Sequence, residues 1–176
     1  MQELDLESEY NNRQRVPDHV EINARWLGQS EDTRAAVKCD LDLGYGPGER
    51  QRYDLFHAAS GLEGSPLVMF IHGGYWQRGD RRMYSFVARE LVRHNVSVAV
   101  ASYTLCPQTT VMGIVDELRQ LAKVLWETRR RRPVIVGNSA GGHLTAALLA
   151  TDWSLMPDVP SDLVRAGYAI SGVYAL

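Results

Sequence analysis

Pro133-Val134-Ile135-Val136, then Gly137-Asn138-Ser139-Ala140-Gly141, then Leu144-Thr145-Ala146-Ala147-Leu148-Leu149 read in order as an apolar strand, a sharp turn and a helix. The turn is a G-x-S-x-G run, and its strand and helix flanks are the context of a nucleophile elbow. Glycines on both sides allow the backbone to lift the Ser139 oxygen clear of a sheet, and the helix start behind it offers unpaired N–H groups to developing negative charge. A glycine-rich junction can also serve close packing alone. Placed between these flanks, Ser139 is the candidate nucleophile for acyl transfer.

A second stretch strengthens that reading. Pro66-Leu67-Val68-Met69-Phe70-Ile71 has the pattern of a buried strand and runs directly into His72-Gly73-Gly74-Tyr75-Trp76. Two glycines after a strand are often an ordinary turn. Upstream of an elbow, in this chain order, they fit the loop whose backbone amides bind an oxyanion: Gly73 or Gly74, together with Ala140 next to the serine. Tyr75 and Trp76 could then form an aromatic wall for a planar substrate, with a core position as the alternative for Trp76.

Outward from these two motifs the chain alternates strand and helix. Residues 1–36 are charged and helix-leaning and are expected to form an N-terminal arm, with the core domain over 37–176. Strands are expected over Lys38–Tyr45 and Gln51–His57, joined by Gly44-Tyr45-Gly46-Pro47-Gly48, a turn and not a phosphate loop, since no Gly-Lys-Ser follows. Then come the strand to Ile71, a helix over Met83–Arg93, a strand over Ser97–Ala101, a helix over Gly113–Trp126, the Ser139 strand and helix, and a last strand over Ala166–Val173. Strands separated by single helices predict a three-layer α/β/α sandwich around a mostly parallel sheet, with the site at the carboxyl ends of the strands.

His72-Gly73-Gly74-Tyr75-Trp76, Ser102-Tyr103-Thr104-Leu105-Cys106-Pro107, Gly137-Asn138-Ser139-Ala140-Gly141-Gly142-His143 and Ile170-Ser171-Gly172-Val173-Tyr174 together resemble the kynurenine formamidase (arylformamidase) branch of the α/β-hydrolase superfamily. Tyr10-Asn11-Asn12-Arg13 and Val16-Pro17-Asp18-His19 resemble bacterial members of that branch. Ser102 and Ala175 depart from it, standing where the branch often has Asp. The resemblance implies cleavage of N-formylkynurenine-type formamides or small esters through an acyl-enzyme on Ser139, without metal or organic cofactor. A general carboxylesterase or lipase-like hydrolase is the alternative.

In that superfamily the acid and the histidine of the triad follow the serine. Residues 140–176 hold one histidine, His143, and the aspartates Asp152, Asp158 and Asp162. His143 lies in the first helical turn, where the positive helix end disfavours the imidazolium that a base must become, so a packing role is expected for it. His72 fits the oxyanion loop better than the base position, and nothing selects His19, His57 or His94. The expectation is a hydrolase fold lacking its last strand–helix units, with the triad acid and histidine absent. A binding protein without efficient turnover is therefore the competing functional class. The apolar 166–173 strand, left at a sheet edge, predicts dimerisation with a second copy, binding of a partner, or aggregation.

Composition sets the remaining bounds. With 45% apolar and 23% charged residues and a net charge of −2, this is the balance of one globular domain, expected to be cytoplasmic. No stretch approaches the ~20 apolar residues of a membrane span, and the acidic start Met1–Glu7 is unlike a signal peptide. Cys39 and Cys106 stand in unrelated contexts, which argues against a zinc site or a disulfide framework and for a packed thiol at Cys106. The run Arg129–Arg132 suits a helix C-terminus better than a nucleic-acid patch at this net charge.

Overall fold

The structure, a computed structural model, describes residues 15–174. Tyr10–Arg13, the acidic start and Ala175 lie outside the described residues. In chain order the elements are α1 (His19–Ala36), β1 (Cys39–Gly44), β2 (Arg52–Phe56), β3 (Leu67–Ile71), α2 (Ala88–Arg93), β4 (Ser97–Ala101), α3 (Val111–Arg129), β5 (Pro133–Asn138), α4 (Ala140–Leu149) and β6 (Gly167–Ile170).

The six strands form one sheet in the order β1-β2-β4-β3-β5-β6. β4, β3, β5 and β6 pair in parallel, with Met69 opposite Ala99 on one side and Ile135 on the other. β1 and β2 join antiparallel, and β2 joins β4 antiparallel. The sheet is therefore mixed and mostly parallel, as the alternation of strands and helices indicates, with its antiparallel part confined to β1 and β2. The physical reason is local: β1 reaches β2 through a tight glycine-rich turn, and no crossover helix separates β2 from β3.

Alternation along the central strands makes the layers. Leu67, Met69 and Ile71 of β3 and Ala99 and Ala101 of β4 face a core shared with Ile114, Leu118, Leu121 and Leu125 of α3 and Leu144 and Leu148 of α4. Val68, Phe70, Val98 and Val100 face the opposite core with Ala88 and Val92 of α2. Because the strands are buried on both faces they read as unbroken apolar runs.

α3 is longer than the Gly113–Trp126 stretch that periodicity marks. The Thr110 hydroxyl accepts the Gly113 N–H at 3.0 Å, capping its start. Its end is closed by Arg130 in the left-handed region. The helix expected over Met83–Arg93 is only half present: Arg81–Met83 and Ser85–Val87 are 3₁₀ turns, and α2 begins at Ala88. Tertiary bonds take the groups that would have continued it. Ser30 of α1 donates its hydroxyl to the Met83 carbonyl at 3.0 Å and accepts the Phe86 N–H at 3.1 Å, while Trp26 packs on the rings of Tyr84 and Phe86. The last strand is also shorter than 166–173, ending at Ile170.

Candidate active site

Ser139 sits between β5 and α4 with φ 55° and ψ −117°, a conformation that a side-chain-bearing residue holds only when its surroundings impose it. Its N–H donates to the Ile170 carbonyl at 2.8 Å and its carbonyl accepts the His143 N–H at 3.1 Å, so β6 and α4 fix both sides of the turn. Ala140 is the first residue of α4, where backbone N–H groups have no intrahelical partner.

The loop after β3 lies directly against this turn. A Cβ at Gly73 would stand 2.8 Å from the Asn138 carbonyl oxygen and 3.1 Å from the Ser139 Cβ, so only a glycine lets the two segments approach this closely. Gly74 holds φ 120°, and its carbonyl accepts the N–H groups of Gln77 and Arg78, each at 3.0 Å, closing a tight turn. Tyr75 and Trp76 continue it at φ 53° and 57°. The structure thus brings Gly73, Gly74, Ser139 and Ala140 together at the carboxyl ends of β3 and β5.

His72 is fully buried inside this arrangement. Its ring stacks between Tyr84, at 5.5 Å, and Tyr103, at 4.5 Å. Its Nδ1–H donates to the Gly73 carbonyl at 2.7 Å, which fixes the neutral tautomer and turns the Gly74 N–H to the far side of that peptide. Burial lowers its pKa to about 4, so the ring is neutral at pH 7.

Of the two aromatic residues after the glycines, Tyr75 is half exposed at the rim and Trp76 packs partly into the α3-side core. Trp76 meets the His143 ring edge-on at 5.4 Å, and burial lowers the His143 pKa. The other histidines stand elsewhere: His19 bonds the Val16 carbonyl, His57 pairs with Asp40 at 3.0 Å, and His94 caps α2. The aspartates after the elbow are also committed. Asp152 caps the Trp153–Leu155 turn, Asp158 faces Lys123 at 3.8 Å, and Asp162 pairs with Arg132 and Arg165. All three follow α4, whose ten residues carry the chain ~15 Å from the elbow toward the amino ends of the strands.

Sequence reasoning missed the polar frame behind the loop. Arg81, almost fully buried, donates Nε to Asp54 Oδ1 at 3.0 Å and Nη2 to Asp42. Ser102, the departure noted above, accepts the Arg81 N–H at 3.0 Å and donates to Asp80 at 3.3 Å, tying the loop's far end to β4. One signal was available: Asp54 interrupts the apolar strand Tyr53-Asp54-Leu55-Phe56, and a buried carboxylate demands a cation. Cys106 packs against the core and donates its N–H to the Trp76 carbonyl at 2.8 Å. Arg130 and Arg132 lie over the Trp126 ring, 5.8 and 5.5 Å from its centroid, so those arginines fold onto their own helix. Among the described residues, no group of three His, Cys, Asp or Glu side chains is placed to hold a metal ion, and no helix is long and apolar enough to cross a membrane.

Residues 68–158, from β3 through the elbow helix to the loop beyond it, match the alpha/beta hydrolase fold family. The chain belongs to that family. It is 28% identical over 172 residues to a kynurenine formamidase of Salmo salar, covering 96% of this chain and 58% of that one. It is 34% identical over 138 residues to the kynurenine formamidase of Drosophila melanogaster, covering 76% of this chain and 45% of the relative. The chain thus spans about half the length of the curated relatives it matches. Among solved structures, a provisionally assigned thioesterase from Silicibacter sp. superposes with a TM-score of 0.83 at 31% identity, covering 97% of this chain and 64% of that one.

Proposed function

We propose that the protein is a serine hydrolase that cleaves N-formylkynurenine-type formamides or small carboxylic esters through an acyl-enzyme on Ser139. The observation that carries the reading is the contact between two strained turns: Ser139 at φ 55°, with Gly73 pressed against it as no larger residue could be. In this mechanism the Ser139 hydroxyl attacks the acyl carbon as its proton passes to a general base, and the amides of Ala140 and of Gly73 or Gly74 receive the negative charge as the carbonyl becomes tetrahedral; collapse breaks the C–N or C–O bond, the proton leaves with the amine or alcohol, and water then releases the acyl group. Those donors cost no reorganisation, because His72 and the Gly74 turn already hold them. Trp76 and Tyr75 would form the wall for the aromatic part of the substrate. Similarity to formamidases supports the formamide class.

A second reading, a binding protein for small acyl or aromatic ligands with little turnover, is supported by a different observation. The five histidines are placed in other contacts: His19 on the Val16 carbonyl, His57 on Asp40, His72 on the Gly73 carbonyl, His94 at the end of α2 and His143 edge-on to Trp76. One assay separates the readings. N-formylkynurenine and p-nitrophenyl acetate are offered to the protein expressed from its complete reading frame, with Ser139→Ala as control. Turnover of the formamide that disappears in S139A supports the formamidase reading. Binding without turnover of either compound supports the second, and a preference for the ester that survives Trp76→Ala points to a general esterase.

A further inference from the structure

The glycine-rich turn between β1 and β2 ends in Arg50, and the guanidinium of Arg50 reaches across to the loop that follows β3. Its Nη2 donates to the Gly79 carbonyl at 2.6 Å, its Nε donates to the Tyr103 carbonyl at 2.9 Å, and its Nη1 faces Asp80 at 3.6 Å. Gly79 and Tyr103 are the residues that grip His72 from two sides. The Gly79 backbone stands so close to the imidazole that an added Cβ would lie 2.7 Å from His72 Cε1 and 2.9 Å from the Gly73 carbonyl oxygen. The Tyr103 ring stacks on the imidazole at 4.5 Å, and its hydroxyl donates to the His72 carbonyl at 3.0 Å.

We propose that Arg50 is a positioning residue of the oxyanion loop: one planar fork joins the two backbone segments that clamp His72, and through the His72 Nδ1–H bond it sets the direction of the Gly73–Gly74 peptide. The inference rests on the hydrolase reading above for its catalytic consequence, but its structural content is separate. A fork with two parallel donors fits two carbonyls at a fixed spacing, which a lysine ammonium cannot reproduce. The bonds of Arg50 go to Gly79, Tyr103 and Asp80, not to Ser139. Its loss should loosen the loop by up to about 1 Å and leave the nucleophile in place, and a misplacement on that scale is worth up to about a hundredfold in rate.

The test uses the protein from its complete reading frame, with Arg50→Ala and Arg50→Lys. Two quantities are read: the rate of labelling of Ser139 by a fluorophosphonate together with kcat and KM for p-nitrophenyl acetate, and the His72 Nδ1–H proton in ¹⁵N-edited NMR. We expect labelling and kcat to fall about tenfold to a hundredfold in both variants with KM within about twofold, the signature of an interaction that acts in the transition state. The His72 proton should broaden through exchange, and millimolar guanidinium should restore part of the rate in R50A but not in R50K. R50K covers the case in which R50A does not fold. Variants that label at the wild-type rate and keep a sharp His72 proton would overturn the positioning role. A wild-type protein that shows the sharp proton, loses it in R50K, and yet never labels would uphold the clamp and sink the hydrolase reading instead.

Discussion

At the carboxyl ends of β3 and β5, Tyr75, Trp76 and Ser139 hold φ values of 53°, 57° and 55°; past the end of α3, Arg130 holds 53° as it closes the helix and lies over the Trp126 ring. The two kinds of left-handed residue differ in what surrounds them. At the amino ends of the same strands the serines are satisfied: Ser97 accepts the Ala58 N–H at 3.1 Å and pairs with Ser65 at 2.7 Å, and Ser65 donates to Leu62. At the carboxyl ends, His72 Nε2, Trp76 Nε1 and His143 Nδ1 are buried without a protein partner; Arg129 Nε is the other such atom among the described residues. Three of these four atoms lie with Tyr75, Trp76 and Ser139 at the carboxyl ends of the strands, whereas Arg129 Nε stands alone at the amino ends beside Arg130. A cluster of strain and unmet hydrogen bonding of that density is what a fold tolerates where it serves a site.

The comparison can be broken from the core outward. Leu118→Ala empties a fully buried position of α3. It should cost about 2–5 kcal/mol by urea unfolding at pH 7 while the folded fraction labels at an unchanged rate. A labelling loss larger than the unfolded fraction explains would mean that site and core are not separable.

His72 gives the next effect. Unfolded, its imidazole takes a proton near the ordinary value of 6.5; folded, burial delays this to about 4. The stability tied to the neutral ring is therefore complete above pH 6.5 and is lost as the pH falls toward 4, by up to about 3 kcal/mol. Urea unfolding at pH 7 and at pH 4.5 should show the loss, and His72→Phe should remove most of it. An equal pH dependence in H72F would place the acid sensitivity on other groups.

Gly73→Ala tests the close approach itself. The new methyl has nowhere to go between the Asn138 carbonyl and Ser139. Labelling and ester hydrolysis should drop about a hundredfold, the scale of a lost oxyanion donor. At the other extreme, Arg130→Gly should change stability by less than about 0.5 kcal/mol and leave labelling untouched, because glycine relaxes the helix cap at the expense of the contact with Trp126.

Much of this geometry was legible in the sequence, and the reason is locality. β4 falls on Ser97–Ala101 as its valine alternation indicates, and the elbow is written in five consecutive residues. The Met83–Arg93 helix was misjudged because Ser30, more than fifty positions upstream, supplies the bonds that divert its first turns. Arg50 was invisible for the same reason, since its carbonyl partners at Gly79 and Tyr103 are distant in the chain, and for Arg81 the one mark was Asp54, a carboxylate in an apolar strand that names no particular partner. His143 was expected to pack, and the structure supplies the surface, the Trp76 ring.

The central claim, that the two strained turns at the carboxyl ends of β3 and β5 form one acyl-transfer site, is tested most directly by treating the protein from its complete reading frame with a fluorophosphonate and mapping the adduct by mass spectrometry. The account predicts a single adduct on Ser139, absent in S139A and slowed about a hundredfold in G73A. An adduct that persists in S139A, or one that forms on Ser139 at the same rate with and without Gly73, would contradict it.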